Sequence, residues 1–390
     1  MKERVGPRSG VYILQPAGYR AFIPAPLLPD APLIVDAEMQ LLLSGADRAI
    51  GRLDAATELL PNPDLFVAMY VRREAVFSSQ IEGTEASLVD LLEFEAQAAR
   101  RGNKGDVQEV VNYVRAMNYG LARLKDLPLS LRLMREIHAE LLRDARGGQR
   151  EPGEFRRSQN WIGPPGCPLS EAIFVPPPPQ EILSAMGELE RFLHDDIPMP
   201  PLIKCGLAHA QFETIHPFLD GNGRMGRLLI TFLLCWRGVL KHPMLYISDY
   251  FKRYRQEYYE RLQRVRDHDD WEGWMQFFLK GLQTVALEAT ETARRIQTMR
   301  DQYRDLIGRK IRGTAIGFVL LDYLFEMPMV NVKLVAQRIG RSYPVANDLV
   351  GTFLDLGLLI ETTGQRRNRI YSFQPYLDLF EQRSKTAPRG

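Results

Sequence analysis

Cysteine is scarce in this chain of 390 residues, which contains only Cys167, Cys205 and Cys235. Their number is odd, and none of them lies in a CxxC pair or at a Cys/His spacing that is typical of zinc ligands. The sequence therefore supports neither a disulfide framework nor a structural zinc site. This cysteine usage fits a reducing compartment, and we expect the protein to be cytoplasmic.

Long apolar runs and an excess of charge are also missing. The longest apolar stretch, LLITFLLCW at 228–236, is far shorter than the roughly 18 to 20 residues that a membrane helix needs. No apolar segment follows the charged start MKERVGPRSG, so we expect no secretion signal and no membrane partner. Because the formal net charge is only +2, we expect any site for an anion to be local.

Helical periodicity dominates the rest of the sequence. Residues 1–35 are rich in Pro and Gly, which favours extended segments and turns. Beyond them, Leu, Val, Ile and Ala recur at the spacing of amphipathic helices, so we predict a mainly α-helical protein of two or three domains. The pattern indicates an N-terminal helical region at 1–125, a helical core at 126–290, a connector helix at 291–312 and a C-terminal module at 313–380.

A short β-hairpin is predicted inside the helical core. The proline-rich stretches GGQREPGEF (147–155) and FVPPPPQ (174–180) flank a segment that is too broken for a long helix. We predict a short β-hairpin in NWIGPPGCPLSEAIFV (160–175), with an ordinary surface loop as the alternative.

The run HPFLDGNGRMGR at 216–227 holds three glycines, two arginines, a histidine and an acid in twelve positions. The proline after His216 ends the preceding helix, and the next helix begins near the glycines. Gly221 and Gly223 allow main-chain N–H groups to face an anion at that helix start. Arg224 and Arg227, three residues apart, are placed to donate paired hydrogen bonds to phosphate. The motif therefore predicts a phosphorylated ligand.

Two further residues of this motif suggest chemistry at the phosphate. A carboxylate beside a polyphosphate usually holds Mg²⁺, which suits Asp220, and His216 has a side chain that takes a proton near neutral pH. The string GNGRMG also matches the dinucleotide fingerprint, but no strand precedes it, and there is no P-loop sequence. The bland alternative is a glycine-rich helix turn with surface arginines.

This motif resembles the signature of Fic-domain proteins, H-x-F-x-[DE]-G-N-G-R-x-x-R, at every specified position. The resemblance implies a helical Fic core that transfers AMP from ATP to a hydroxyl side chain of a protein, with Mg²⁺. It implies that His216 is the general base, that Phe218 anchors the loop and that Asp220 holds the metal. The intact Gly223 and Arg224 point to nucleotidyl transfer rather than phosphate transfer. The implied nucleotide-binding residues in the motif are Gly221, Asn222, Gly223, Arg224 at the β end, Gly226, and Arg227 at the γ-phosphate.

A second segment, SSQIEG at 78–83, is similar to the inhibitory [ST]-x-x-x-E-[GN] helix of Fic proteins. By itself this pattern is weak, because a glutamate near a helix end is usually a solvated charge. With the Fic motif present, we expect an inhibitory helix at about 65–95 that carries Ser78, Glu82 and Gly83. Glu82 paired with Arg227 would occupy the guanidinium that the γ-phosphate needs.

The resemblance also suggests where the protein substrate and the adenine bind. Fic proteins carry a β-hairpin flap that docks the target segment by strand addition. Here the flap is Leu169, Ser170, Glu171, Ala172, Ile173, Phe174 and Val175. An equivalent tyrosine pair near the adenine makes Tyr258 and Tyr259 candidates for the base pocket. We expect Trp271 and Trp274 to pack in the core.

The C-terminal module resembles a winged helix. Its third helix, RSYPVANDLVGTFLDL, stands where a recognition helix would lie, and GQRRNR (364–369) forms the tip of a basic wing. Arg341, Arg366, Arg367 and Arg369 could meet phosphates, but the helix has few base-reading side chains, so DNA contact and a protein-binding or dimerisation role stay equally open. The alternative function is therefore a DNA-binding regulator whose Fic pocket senses nucleotide. Self-adenylylation and a homodimer are also left open.

Overall fold

The computed structural model describes residues 3–6, 8–27, 33–58, 63–96, 105–143, 151–164, 166–311 and 314–381. In this part of the chain the architecture is mainly helical, with two small sheets of three strands each. None of the helices found there has both the length and the apolar character needed to cross a membrane. The predicted mainly α-helical fold is confirmed.

The N-terminal residues form an antiparallel sheet, in agreement with the extended conformation predicted from their Pro and Gly content. Its strands are β1 (Glu3–Gly6), β2 (Gly10–Leu14) and β3 (Arg20–Pro24), in the order β1-β2-β3. Phe22 of β3 is fully buried, and its main-chain N–H donates a hydrogen bond to the carbonyl of Val175, 2.9 Å away. The sheet therefore packs directly against the segment predicted as the flap.

The helical body surrounds one completely buried helix. Its elements are α1 (Ala37–Glu58), α2 (Pro63–Ile81), α3 (Leu88–Ala96), α4 (Gly105–Arg123), α5 (Leu131–Leu141), α6 (Pro179–His194), α7 (Pro201–Ile215), α8 (Asn222–Trp236), α9 (Ile247–Arg253), α10 (Arg255–His268) and α11 (Trp271–Lys310). Every residue of α7 from Leu202 to Ile215 is buried, whereas amphipathic α4 and α5 bury one face each. Helices α7 and α8 pack against each other and lie at the centre of the body.

The C-terminal module has the element types that its sequence pattern predicts. It consists of α12 (Thr314–Glu326), β4 (Met329–Val330), α13 (Val332–Ile339), α14 (Tyr343–Asp355), β5 (Ile360–Glu361), β6 (Tyr371–Ser372) and α15 (Gln374–Glu381), with strand order β4-β6-β5. Strands β5 and β6 pair on either side of the basic turn, where the two strands of the wing are predicted. That this module is a winged helix that binds DNA or protein stays a prediction.

The predicted connector helix at 291–312 is not a separate helix among the described residues. The boundary expected between 290 and 291 falls inside α11, which is one continuous helix of 40 residues. The start of the last module, predicted near Gly313, lies outside the described residues.

Trp271 and Trp274 are buried, as predicted, and the Trp274 indole donates to the carbonyl of Gly206, 2.9 Å away.

The hairpin predicted within 160–175 consists of a single antiparallel bridge between Ile162 and Phe174. Residues Leu169–Glu171 form a short 3-10 turn instead of a strand. The reason lies in the prolines between the two bridged residues, because Pro164 and Pro168 cannot donate to a ladder of strand hydrogen bonds. The chain therefore doubles back within the segment predicted as a short β-hairpin, with one bridge in place of extended strands.

Candidate functional site

The motif at 216–227 joins α7 to α8 through a tight loop. His216 ends α7 in the left-handed conformation, with φ 50°, and Gly221 precedes α8 with φ 77°. The Asn222 side chain accepts a hydrogen bond from the Phe218 N–H and donates one to the Phe218 carbonyl, each 2.8 Å long. The asparagine amide, expected to contact phosphate, therefore bonds to the loop itself and holds it closed.

A polar cavity of about 290 Å³ opens at the start of α8. The first intrahelical bond of this helix runs from the Met225 N–H to the Gly221 carbonyl, so the N–H groups ahead of Met225 precede the helical ladder. Such donors, together with the helix dipole, favour an anion. The residues around the cavity are Glu82, Glu109, His216, Leu219, Asp220, Gly221, Asn222, Gly223 and Arg224. The structure thus brings the predicted histidine, aspartate, glycines and Arg224 to one place.

Arg227 lies one turn further along α8 and is 1% exposed. Its Nη2 donates to Glu82 Oε1 at 2.6 Å and to the Ser78 carbonyl at 3.0 Å, and its Nε donates to Ser78 Oγ at 2.8 Å. Gly83, with φ 99°, follows the end of α2 and turns the chain there. Glu82 and Arg227 therefore meet, as the resemblance implies, and Ser78 is a further partner of the arginine.

The Glu82 carboxylate covers Gly223. A β-carbon at position 223 would lie 2.3 Å from Glu82 Oε1 and 2.9 Å from Arg227 Nη1. The absence of a side chain at Gly223 is therefore what allows the carboxylate to approach the first turn of α8. It is also what would allow a phosphate group to approach the same N–H groups if the carboxylate moved away.

Arg224 is paired with two carboxylates, one of which the sequence reasoning missed. Its Nη1 donates to Glu109 Oε2 at 3.1 Å, and its Nη2 lies 3.7 Å from Asp220 Oδ1. Glu109 belongs to α4 and forms no recognisable motif, so only the packing of α4 on α8 reveals its place at the cavity. Each arginine of the motif is thus held by a carboxylate from the N-terminal helices.

The imidazole of His216 is partly exposed at the cavity, and its Nδ1 atom is buried without a hydrogen bond of good geometry. The pKa of His216 is lowered to about 3, first by burial and then by the positive charges of Arg266 and Arg156. The Glu213 carbonyl and Asp220 raise this pKa by a smaller amount. The ring is therefore neutral near pH 7 and has a nitrogen ready to accept a proton.

Two residues predicted to bind nucleotide lie in the core instead. Tyr258 is 1% exposed, and its hydroxyl is hydrogen-bonded to His209 Nε2 at 2.9 Å, whereas Tyr259 is 42% exposed. Gly226 faces α7, where a β-carbon would lie 2.3 Å from Glu213 Oε1. Tyr258 and Gly226 therefore serve packing, and Tyr259 is the member of the pair whose ring is available to a base.

Two further residues that support the loop were also missed. His138 is fully buried in α5, and Arg156, 2% exposed, follows the stretch that contains Gly153. A histidine on the apolar face of an amphipathic helix is a weak signal of a buried polar contact, and Arg156 gives no signal in the sequence. Both contact the loop between α7 and α8.

The predicted flap divides into a buried part and an exposed part. Phe174 is 1% exposed and Val175 is 7% exposed, so both belong to the core, whereas Ile173 is 64% exposed. The Arg266 guanidinium lies over the Phe174 ring, 4.0 Å from its centre. Only the part from Leu169 to Ile173 is therefore placed to contact another molecule.

Comparison with known proteins places these features in one family. The profile of the Fic/DOC family N-terminal region matches residues 40–122, and that of the Fic/DOC family matches residues 128–234. A solved Fic family protein from Desulfovibrio desulfuricans superposes with a TM-score of 0.57 at 20% identity and covers 88% of this chain and 98% of its own. That likeness supports the fold.

Curated proteins named protein adenylyltransferase Fic also match. The protein from Drosophila ananassae is 32% identical over 167 residues, which are 41% of this chain and 30% of that protein. The protein from Aedes aegypti is 33% identical over 198 residues, which are 48% of this chain and 36% of that protein. The chain thus spans about a third of the length of these relatives. The two family profiles and the complete motif thus identify residues 40–122 and 128–234 as Fic/DOC family regions, within a chain that has the Fic fold.

Proposed function

We propose that this chain is a protein adenylyltransferase that transfers AMP from ATP to a serine, threonine or tyrosine hydroxyl of a protein and that Glu82 holds it inactive. The observation that carries the proposal is the 2.6 Å contact between Arg227 and Glu82 beside the anion-binding start of α8. The relatives named protein adenylyltransferase Fic support the type of reaction.

The transfer step uses a neutral base beside the phosphates. The hydroxyl oxygen of the target attacks the α-phosphorus of ATP, the new O–P bond forms, and the bond to the bridging oxygen breaks so that pyrophosphate leaves. The proton of the hydroxyl passes to the imidazole of His216, which is neutral because burial lowers its pKa to about 3. Its Nδ1 is buried, so Nε2 is the nitrogen that can accept this proton.

The phosphates would bind the N–H groups at the start of α8 together with Arg224 and Arg227. The carboxylate of Asp220 would hold Mg²⁺, which supplies positive charge against the phosphates. The described residues contain no cluster of three or more His, Cys, Asp and Glu side chains placed to hold a metal ion. One or two carboxylates at the cavity nevertheless fit Mg²⁺, because this ion usually keeps several waters and binds the remaining oxygens from phosphate.

Inhibition follows from competition for one guanidinium. Arg227 is almost fully buried, and the carboxylate of Glu82 stands on the side that faces Gly223. A γ-phosphate that needs Arg227 must displace Glu82, so ATP binds in an unproductive pose while the pair is intact. The exposed part of the flap, from Leu169 to Ile173, would dock the protein substrate, and self-modification is one outcome of the same chemistry.

The test is AMP incorporation from α-labelled ATP by purified Glu82→Gly protein. We expect at least about a tenfold increase over the native chain, because a partly buried charge pair is removed. The double variant Glu82→Gly with His216→Ala is the control and should incorporate no label. The proposed function is wrong if Glu82→Gly protein binds ATP but labels neither itself nor any protein in a lysate.

A further inference from the structure

Four carbonyl oxygens of the motif loop, residues 216–221, accept hydrogen bonds from a single stretch of the chain, residues 138–160. The four bonds, each 2.9 Å long, run from Arg156 Nε to His216 O, from the Arg156 main-chain N–H to Pro217 O, from Asn160 Nδ2 to Phe218 O, and between His138 Nε2 and Asp220 O. Because these carbonyls are bound from outside the cavity, they do not point at a ligand within it. An anion would otherwise meet their negative ends.

His138 can make its bond in only one tautomer. The N–H of Gly153 donates to His138 Nδ1 at 2.9 Å, so Nδ1 is an acceptor. Because Nδ1 accepts a hydrogen bond it carries no proton, so the ring proton is on Nε2. Nε2–H therefore donates to the Asp220 carbonyl, while the ring stacks on Phe218 with centres 3.7 Å apart and planes 8° apart.

The direction of the Asp220 carbonyl also fixes the next N–H group. In a planar trans peptide the C=O and the N–H point in opposite directions. Because its carbonyl faces His138, the Asp220–Gly221 peptide directs the Gly221 N–H toward the cavity lining. There the N–H donates a hydrogen bond to Asp220 Oδ1, 2.7 Å away. Gly221 has φ 77°, and a β-carbon there would lie 3.5 Å from His138 Nε2.

We propose that His138 is a positioning residue for AMP transfer. It orients the Asp220–Gly221 peptide so that the Asp220 carbonyl faces away from the nucleotide, while the Asp220 carboxylate and the Gly221 N–H face the cavity. The kinetic part of this proposal rests on the proposed function. The side chain does not line the cavity, so it acts through the loop.

Two substitutions separate the donor of His138 from its acceptor. His138→Gln keeps an amide N–H near the position of Nε2, so it can still donate to Asp220 but loses the acceptor for Gly153. His138→Asn keeps an acceptor near the position of Nδ1 for Gly153 but loses the donor to Asp220. Both lose the ring stacking on Phe218, so this loss is common to the two variants.

The expected result, measured in the Glu82→Gly background, is that His138→Asn lowers kcat about 10- to 100-fold with little change in the KM for the target protein. His138→Gln should keep kcat within about threefold of the parent, since its donor restores the peptide orientation. Crystal structures of the two variants should show the Asp220 carbonyl turned only in His138→Asn. If His138→Asn does not fold, His138→Leu lacks both the donor and the acceptor, so its comparison with His138→Gln, which lacks only the acceptor, isolates the donor.

Equal kcat values in the donor-keeping and donor-lacking variants overturn the proposal. If the Glu82→Gly parent transfers no AMP at all, the proposed function fails, but the crystal structures still decide the role of His138. An Asp220 carbonyl with the same direction in both variants would then show that His138 does not orient this peptide.

Discussion

The guanidinium of Arg227 and the carboxylate of Glu82 lie 2.6 Å apart, although 145 residues separate them in the sequence. The arginine is 1% exposed and the side chain of the glutamate is 36% exposed. Burial lowers the pKa of Arg227, but the surrounding negative groups, Glu82 foremost, together raise it above its ordinary value, so the arginine keeps its charge. A buried arginine whose paired carboxylate can move away is a site where an entering phosphate can replace that carboxylate.

Ser78→Ala and Glu82→Gln each remove a partner of Arg227, and we expect them to raise the affinity for ATP by different factors. Glu82→Gln removes the charge and should raise the affinity for ATP about tenfold, because the γ-phosphate no longer competes with a carboxylate. Ser78→Ala removes only the hydroxyl that accepts from Arg227 Nε and should raise it about threefold or less. Isothermal titration with ATP and with ADP measures both, and the gain should be larger for ATP. Equal gains for the two nucleotides would place the γ-phosphate away from Arg227.

Glu109→Gln should raise the affinity for ADP and for ATP by the same factor, about three to ten. The reason is that Glu109 bonds to Arg224, which we place at the β end of the phosphates that both nucleotides share. Glu140→Gln is the matched control, because it removes the same charge from a pair with Arg143 outside the cavity. If Glu109→Gln instead weakens binding, the carboxylate helps to hold the nucleotide or its metal and does not compete with it.

The sequence allowed a large part of this site to be predicted, because the helix-loop-helix motif is contiguous and its residue types have few other uses. His216, Asp220, Gly223 and Arg224 are close in the chain and therefore close in space. The pairing of Glu82 with Arg227 was accessible only through the resemblance to Fic proteins, since periodicity carries no information on which helices pack together.

The contacts made by Glu109, His138 and Arg156 could not be predicted from the motif or from the resemblance. Glu109 reaches Arg224 from α4, while His138 and Arg156 reach the loop from α5 and from the segment after α5, and these positions depend on how the elements pack against α8. The tyrosine pair shows the same limit. Neighbouring residues on a helix point in different directions, so Tyr258 is buried and Tyr259 is exposed, and only the three-dimensional packing decides which is which.

Gly226→Ala and Gly223→Ala should differ in stability, although both lie in the first turns of α8. The β-carbon of Gly226→Ala would meet Glu213 Oε1 at 2.3 Å and Phe212 Cδ1 at 3.2 Å inside the core. We expect a loss of about 1–3 kcal/mol in the free energy of unfolding from this overpacking. At Gly223 the nearest atom belongs to Glu82, whose side chain is partly exposed and can move aside, whereas Glu213 is buried, so the loss at Gly223 should stay below about 1 kcal/mol. Urea unfolding of both variants measures the difference, and equal losses would contradict this account of the helix packing.

The pH dependence of transfer tests the environment of His216. An ordinary histidine base would lose activity below a pKa near 6.5, because its protonated form cannot accept a proton. Burial and two arginines lower the pKa of His216 to about 3, so its neutral form persists at lower pH, and kcat/KM of Glu82→Gly protein should show no loss from this group between pH 8 and pH 5. Burial raises the pKa of nearby Glu213 to about 7, so the profile should also be measured with Glu213→Gln. A fall of kcat/KM with a pKa of 6 to 7 that persists in the Glu213→Gln variant would show that the imidazole titrates as in water, and the buried base would then be wrong.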